Sequence, residues 1–123
     1  MSLIQQLESG YKSGEFNSAP FYIGAVWKAK LTFNTVDIVG ITHEVYVVAD
    51  EYADERLFDC DISDPEVVGS ETILKITGPM SGTSKLKGCI EVMVKHIITE
   101  TSTGEKYPYF QRLVAVRSGV VDS

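Results

Sequence analysis

The stretch "SKLKGCIEVMVKHIITE", residues 84–100, carries the clearest two-residue alternation in the chain. One row is apolar apart from a single histidine and comprises Leu86, Ile90, Val92, Val94, His96 and Ile98. The opposite row comprises Lys85, Lys87, Glu91 and Lys95. Side chains of a β-strand point alternately to its two faces, so this pattern predicts one long, half-buried strand.

The length of that stretch argues for a curved sheet. Seventeen residues at roughly 3.3 Å each would span about 56 Å, whereas a compact domain of this size has a diameter of roughly 35 Å. The strand must therefore coil strongly or break, and Gly88 is the expected position of a break. The alternating stretch at residues 21–33 contains Gly24, which offers the same possibility.

The remaining segments extend the pattern in both directions. Ser2 and Gln5 fit a capping box, which predicts a helix over about residues 3–13. A second apolar row at residues 39–49 favours a hairpin with the strand before it, and weaker strands follow near residues 55–62, 70–78 and 107–120. The Gly and Pro content of "GPMSGT", residues 78–83, predicts a loop.

Together these patterns predict a single, mainly β (α+β) domain spanning residues 1–123. We expect one N-terminal helix followed by an antiparallel meander of five to seven strongly bent strands over about residues 20–118. The meander would close into a barrel or a half-barrel. A flatter α+β sheet with the helix packed across it is the alternative.

Negative charge is concentrated in the acidic segment, which we define as residues 50–66. It holds eight of the seventeen carboxylates and a single base, Arg56, so its net charge is −7. The net charge of the whole chain is −6, so the other residues together carry +1. Its spacing lacks the glycine and the regular ligand positions of an EF-hand loop. It is therefore either a solvated connection or a surface for a basic partner, with Asp54, Glu55, Asp59 and Asp61 as the candidate contacts.

Both histidines of the chain interrupt apolar rows, His43 in the second strand and His96 in the stretch quoted above. Alternation turns both imidazoles inward, where they either pair with neighbours or border a pocket. A pocket inside a curled sheet would also be lined by Trp27 and by Arg112, if Arg112 faces inward instead of lying outward on an edge strand.

The sequence favours binding over catalysis. Alternation places Glu44 and Glu91 on the faces opposite the histidines, and no nucleophile motif stands out, so enzymatic activity is the least favoured class. Two histidines are too few to hold a metal ion, and glycine-rich cofactor motifs are missing. We therefore predict no metal site and no cofactor.

Composition narrows the partners and the location. An acidic chain is a poor candidate for nucleic acid, and no apolar run is long enough for a membrane helix. Two cysteines far apart in sequence indicate reduced thiols in the cytoplasm. Apolar outward positions such as Tyr22, Val26 and Tyr46 are compatible with a homo-oligomer.

Two interpretations of function follow. In the first, the protein is a binding module that encloses a small, largely apolar or weakly acidic molecule, contacted by Trp27, His43, His96 and Arg112. In the second, it is an interaction or inhibitor-type protein that presents the acidic segment to a basic partner.

Overall fold

The computed structural model describes residues 15–33, 41–50 and 52–118, and it is mostly β, curled into a half-barrel. The ten strands in these ranges are β1 (Glu15–Ser18), β2 (Phe21–Tyr22), β3 (Trp27–Phe33), β4 (Ile41–Val48), β5 (Arg56–Asp59), β6 (Asp61–Ile62), β7 (Glu66–Val68), β8 (Glu71–Gly78), β9 (Glu91–Glu100) and β10 (Lys106–Arg117). One short helix, α1 (Met80–Thr83), runs into a 3₁₀ turn at Ser84–Leu86. The helix predicted at residues 3–13 lies outside the described residues.

The strands form two five-stranded sheets. The first has the order β1-β3-β8-β6, with β7 also pairing with β8, and the second has the order β2-β10-β9-β4-β5. Every pairing is antiparallel except the short one between β2 and β10. The predicted simple meander is wrong, as is the hairpin between the first two long strands, because β3 pairs with β8 whereas β4 pairs with β9.

The two longest predicted strands are each broken at a glycine, which raises the number of strands above the predicted five to seven. Gly24 has a φ of 81° and lies in the turn that separates β2 from β3 and sends them into different sheets. Gly88 has a φ of 90° and precedes β9, so the strand begins at Glu91 and not near residue 84. Glycine adopts positive φ without the steric cost that other residues incur.

The predicted loop at residues 78–83 contains helix α1. Its sequence, "MSGT", has weak intrinsic helix propensity, so packing and not propensity explains the helix. A Cβ placed on Gly82 would lie 2.4 Å from the ring of Phe58, which shows how closely α1 approaches β5. Leu86, in the following turn, is fully buried in the same core.

The core lies between the inward faces of the two sheets. It comprises Phe21, Trp27, Ala29, Leu31, Val45, Val47, Phe58, Leu74, Ile76, Leu86, Val92, Val94, Ile98, Val114 and Val116. The inward row predicted for residues 92–98 is confirmed, because Val92, Val94, His96 and Ile98 are all buried. Ile90 is wrongly placed in that row, since it precedes β9 and is 84% exposed.

Cys60 marks the position where the chain passes from the second sheet to the first. Its backbone N–H donates to the carbonyl of Val45 on β4, after which β6 pairs with β8. The strand predicted near residues 55–62 is therefore real but divided, and the acidic segment extends over the edges of both sheets. Within the described ranges, no helix has the length and apolar character needed to cross a lipid bilayer.

Candidate functional site

An open groove of about 390 Å³ lies where β5 ends and the chain passes to β6. It is lined by His43, Glu44, Val45, Arg56, Asp59, Cys60, Asp61 and Ile62. We call it the histidine groove. It brings His43, one of the residues proposed from sequence to contact a ligand, together with Asp59 and Asp61, two of those proposed to contact a partner.

The two histidines form a direct pair beside this groove. Nδ1 of His43 lies 3.0 Å from Nε2 of His96, and the rings are stacked with centroids 5.2 Å apart. Such a hydrogen bond needs one donor and one acceptor, so at least one ring of the pair must be neutral. The inward orientation predicted from alternation is confirmed for His96, which is fully buried, while His43 is partly exposed.

Burial keeps both imidazoles in the neutral form. Desolvation lowers the pKa of His43 from its ordinary 6.5 to about 4. Desolvation, and then repulsion from His43, lower the pKa of His96 to about 3. The pair is therefore uncharged at neutral pH, and only His43 reaches the wall of the groove.

The outer wall of the histidine groove is an ion cluster centred on Arg56. Its guanidinium contacts the carboxylate of Glu44, lies 2.7 Å from that of Asp59, and stacks 3.9 Å above the ring of Tyr46. The hydrogen bond to Asp59 is the main reason that the pKa of Arg56 is raised. Arg56, the single base of the acidic segment, therefore forms its ion pairs within the chain.

The thiol of Cys60 is unreactive, although Cys60 lines the histidine groove. Burial, followed by the negative charges of Asp59 and Asp61, raises the pKa of its thiol to about 12. A thiol held in the protonated form is a poor nucleophile. Both cysteines are free thiols.

The structure separates Trp27 and Arg112 from the histidine groove. Trp27 is 2% exposed, stacks on Phe21 with ring centroids 4.3 Å apart, and donates a 2.8 Å hydrogen bond from Nε1 to the carbonyl of Ala19. Arg112 lies opposite Val94 in the strand register, as alternation predicts, yet its side chain is exposed. Of the four residues proposed from sequence, His43 and His96 contact each other, and His43 lines the histidine groove.

The other partner-contact candidates lie in the loop between β4 and β5. Asp54 and Glu55 are exposed, and neither forms an ion pair with the described part of the chain. Tyr52, in the same loop, is 85% exposed. Tyrosine is enriched at protein–protein interfaces, whereas Asp and Glu are depleted there.

Sequence reasoning missed Arg56, Glu44 and Cys60 as parts of the groove. Glu44 does point away from His43 by alternation, but the edge of β4 is open where β5 ends, so both side chains reach the same space. No local signal marks this opening, because it arises from the passage of the chain between sheets.

Comparisons with known proteins leave the family unassigned: no family model, curated protein or solved structure matches the chain. In residues 15–33, 41–50 and 52–118, no group of three or more His, Cys, Asp or Glu side chains is arranged to hold a metal ion.

Proposed function

We propose that this protein is an interaction module that presents the acidic segment to a basic partner. One observation carries the proposal: Asp54 and Glu55 are exposed and unpaired within the described chain, whereas the one nearby base, Arg56, is engaged by Glu44 and Asp59. The charges of Asp54 and Glu55 are therefore not neutralised by ion pairs with the described part of the chain. Such a patch accelerates association with a positively charged surface and disfavours other partners.

The test compares how a lysine-rich peptide binds to two variants of the protein. Each variant loses three carboxylates, but at different places on the surface. The first variant carries Asp54→Asn, Glu55→Gln and Asp61→Asn, and the control carries Glu71→Gln, Glu91→Gln and Glu105→Gln. Asp59 is left unchanged because neutralising it would also release Arg56. Both variants raise the net charge by three, so a difference between them reports the location of the charge.

We expect the first variant to lose most of the association rate, about tenfold or more at low salt, and the control to lose much less. The rate for the wild type should fall steeply as salt increases. Arg56→Gln should act in the opposite direction and accelerate association. Equal effects of the two charge variants would contradict the proposal, because they would indicate a response to total charge alone.

A second candidate function is binding of a small molecule in the histidine groove. It is favoured by the one polar ring, His43, that connects the open groove to the buried His96. A library of weakly acidic, aromatic and lipid-like molecules would be screened by thermal unfolding, since ligand at about 100 times Kd adds roughly 2.7 kcal/mol. A hit should shift the His43 imidazole resonances in NMR spectra, and hits that leave them unchanged would argue against this groove.

We also propose that the protein acts in the cytoplasm and does not bind nucleic acid or membranes. The two free thiols support a reducing compartment, and the concentration of negative charge disfavours contact with phosphates. Fractionation of cells that express a tagged chain tests the location; recovery with the membrane or nucleic-acid fraction would contradict it.

A further inference from the structure

Strand β10 has an open edge between a bulge and its contact with β2. On one side β10 pairs with β9 along most of its length, and on the other side it pairs with β2 only at Val116 and Arg117. A β-bulge between Pro108 and Phe110 bends the strand at its other end. No strand of the described part of the chain pairs with the edge between these two points. We call residues 111–115 the β10 edge.

Two hydrogen bonds show which backbone groups point to the β10 edge. Ile23, just after β2, donates its N–H to the carbonyl of Arg117 at 3.1 Å. Val116 donates its N–H to the carbonyl of Ile90, on the β9 side, at 2.8 Å. Successive residues of an antiparallel strand direct their backbone groups to alternate edges. The residues that direct both N–H and C=O to the β10 edge are therefore Gln111, Leu113 and Ala115.

An apolar row crosses the face of the second sheet opposite the core and ends at the same edge. The strand register places Val48 of β4, Met93 of β9 and Leu113 of β10 side by side. Val48 and Met93 are buried, whereas Leu113 is 52% exposed. The centre of the β10 edge therefore combines open backbone groups with an uncovered leucine. An edge of this kind is a template for pairing with another chain.

We propose that the β10 edge pairs with the β10 edge of a second copy of this chain, around a two-fold axis at Leu113. The three residues that present backbone groups to this edge are spaced symmetrically about Leu113. In an antiparallel pair, Leu113 lies opposite its own counterpart and Gln111 lies opposite Ala115, so every N–H of one copy meets a C=O of the other. A surface that contacts itself in this way closes after two copies.

The two ends of the β10 edge favour a second copy over an unrelated strand. Because β2 occupies the edge from Val116 onward, any strand that pairs with residues 111–115 has to leave the edge there. In the symmetric pair, the residue opposite Val116 is Phe110 of the second copy, which directly follows the bulge. The second copy therefore bends at the position where β2 begins, and no other partner has to supply this shape.

Charge and the position of β2 select Leu113 as the axis. An axis at Arg112 would place two guanidinium groups directly opposite each other, which is destabilising. An axis at Val114 would place Gln111 opposite Arg117, whose edge is already occupied by β2. An axis at Leu113 avoids both conflicts, because Arg112 then lies opposite Val114.

The acidic segment lies away from this contact. It follows β4 and includes β5, at the end of the second sheet remote from the β10 edge. Two copies joined at β10 therefore keep their acidic segments roughly 30 Å apart along one continuous sheet, which is several times the screening length at physiological salt. Pairing at β10 leaves Asp54 and Glu55 open to a basic partner, so it goes beyond the proposed function and does not depend on it.

An exchange of charge at the axis tests the proposal. Leu113→Lys and Leu113→Glu each place two like charges directly opposite each other in a dimer, whereas a mixture of the two variants pairs opposite charges. Leu113 is exposed, so both variants should fold. Val67→Lys and Val67→Glu are the matched controls, because Val67 is an exposed valine on a different strand, β7.

Sedimentation velocity should show a concentration-dependent equilibrium between monomer and dimer for the wild type and for both controls. Each Leu113 variant alone should dimerise about tenfold more weakly or worse, because it combines the loss of an apolar pair with repulsion. An equimolar mixture of the two Leu113 variants should recover a 1:1 heterodimer, and added salt should weaken that heterodimer.

Hydrogen exchange of the wild type tests the same pairing without a substitution. The amides of Gln111, Leu113 and Ala115 should exchange quickly in dilute protein and slowly as the concentration rises. The amides of Arg112 and Val114 point toward β9 and should be protected at every concentration.

The proposal is overturned if the wild type is monomeric at every accessible concentration or forms species larger than a dimer. It is also overturned if the mixed Leu113 variants associate no better than either variant alone, or if exchange of the three edge amides does not depend on concentration. Binding of the lysine-rich peptide should be unchanged in the Leu113 variants, so these outcomes leave the proposed function standing.

Discussion

The histidine pair is the residue-scale feature with the clearest consequence for stability. Both folded-state pKa values lie below the ordinary 6.5, so the unfolded chain takes up protons at a higher pH than the folded chain does. The contribution of the neutral pair is therefore complete above about pH 6.5 and is lost as the pH falls from there toward 4.

We predict that the free energy of unfolding falls by about 3 kcal/mol between pH 7 and pH 4 because of His43, with His96 adding to the fall, since each unit of pKa shift corresponds to about 1.4 kcal/mol. Urea denaturation at a series of pH values measures the decline. The double variant His43→Leu/His96→Leu is the reference for the contribution of carboxylates. Parallel curves for the two proteins would contradict the neutral buried pair.

At Gly82, helix α1 packs so closely against β5 that there is no space for a side chain. Because a Cβ would lie 2.4 Å from Cδ2 of Phe58, Gly82→Ala should destabilise the fold by about 1–3 kcal/mol, measured by urea denaturation. Ser81→Ala, at an exposed neighbouring position, should have little effect. In a double-mutant cycle, Phe58→Leu should relieve part of the cost, whereas simple additivity would contradict the contact.

At the scale of elements, the two-residue period predicts which face of a strand a side chain lies on better than it predicts where the strand ends. It identifies the buried row of β9 and the inward turn of His96, because facing depends only on local backbone geometry. It cannot detect that residues 84–86 turn into a 3₁₀ helix, since Leu86 is buried by contacts with distant elements. Arg112 has the expected parity but is exposed, because parity does not tell whether another layer covers the strand.

The break before β9 also leads to a prediction. Gly88 has a φ of 90°, and a Cβ added there would meet no atom within 4 Å, so Gly88→Ala should cost backbone strain alone, about 1–2 kcal/mol. Gly88→Asn should cost less, because asparagine tolerates left-handed backbone better than alanine does. Thermal unfolding of both variants measures this order, and equal stability of alanine and glycine would contradict the break.

At the scale of the whole molecule, the passage of the chain between two sheets decides what the candidate site is. The sequence indicates an acidic segment, but not that Cys60 divides it between sheets. It indicates two inward histidines, but not that they contact each other. Lys30 and Lys75 are more than forty residues apart in sequence, and only the pairing of β3 with β8 brings them together.

The central claim is that the unneutralised charge of Asp54 and Glu55 serves recognition of a basic partner. A titration of the ¹⁵N-labelled protein with the lysine-rich peptide, followed by ¹H–¹⁵N NMR spectra at low salt, tests it most directly, because each backbone amide reports its own surroundings. As peptide is added, the amides of Tyr52, Asp54 and Glu55 should shift, and added salt should reverse the shifts. Spectra that do not change on addition of peptide, or that change only at other surfaces such as β10, would contradict it.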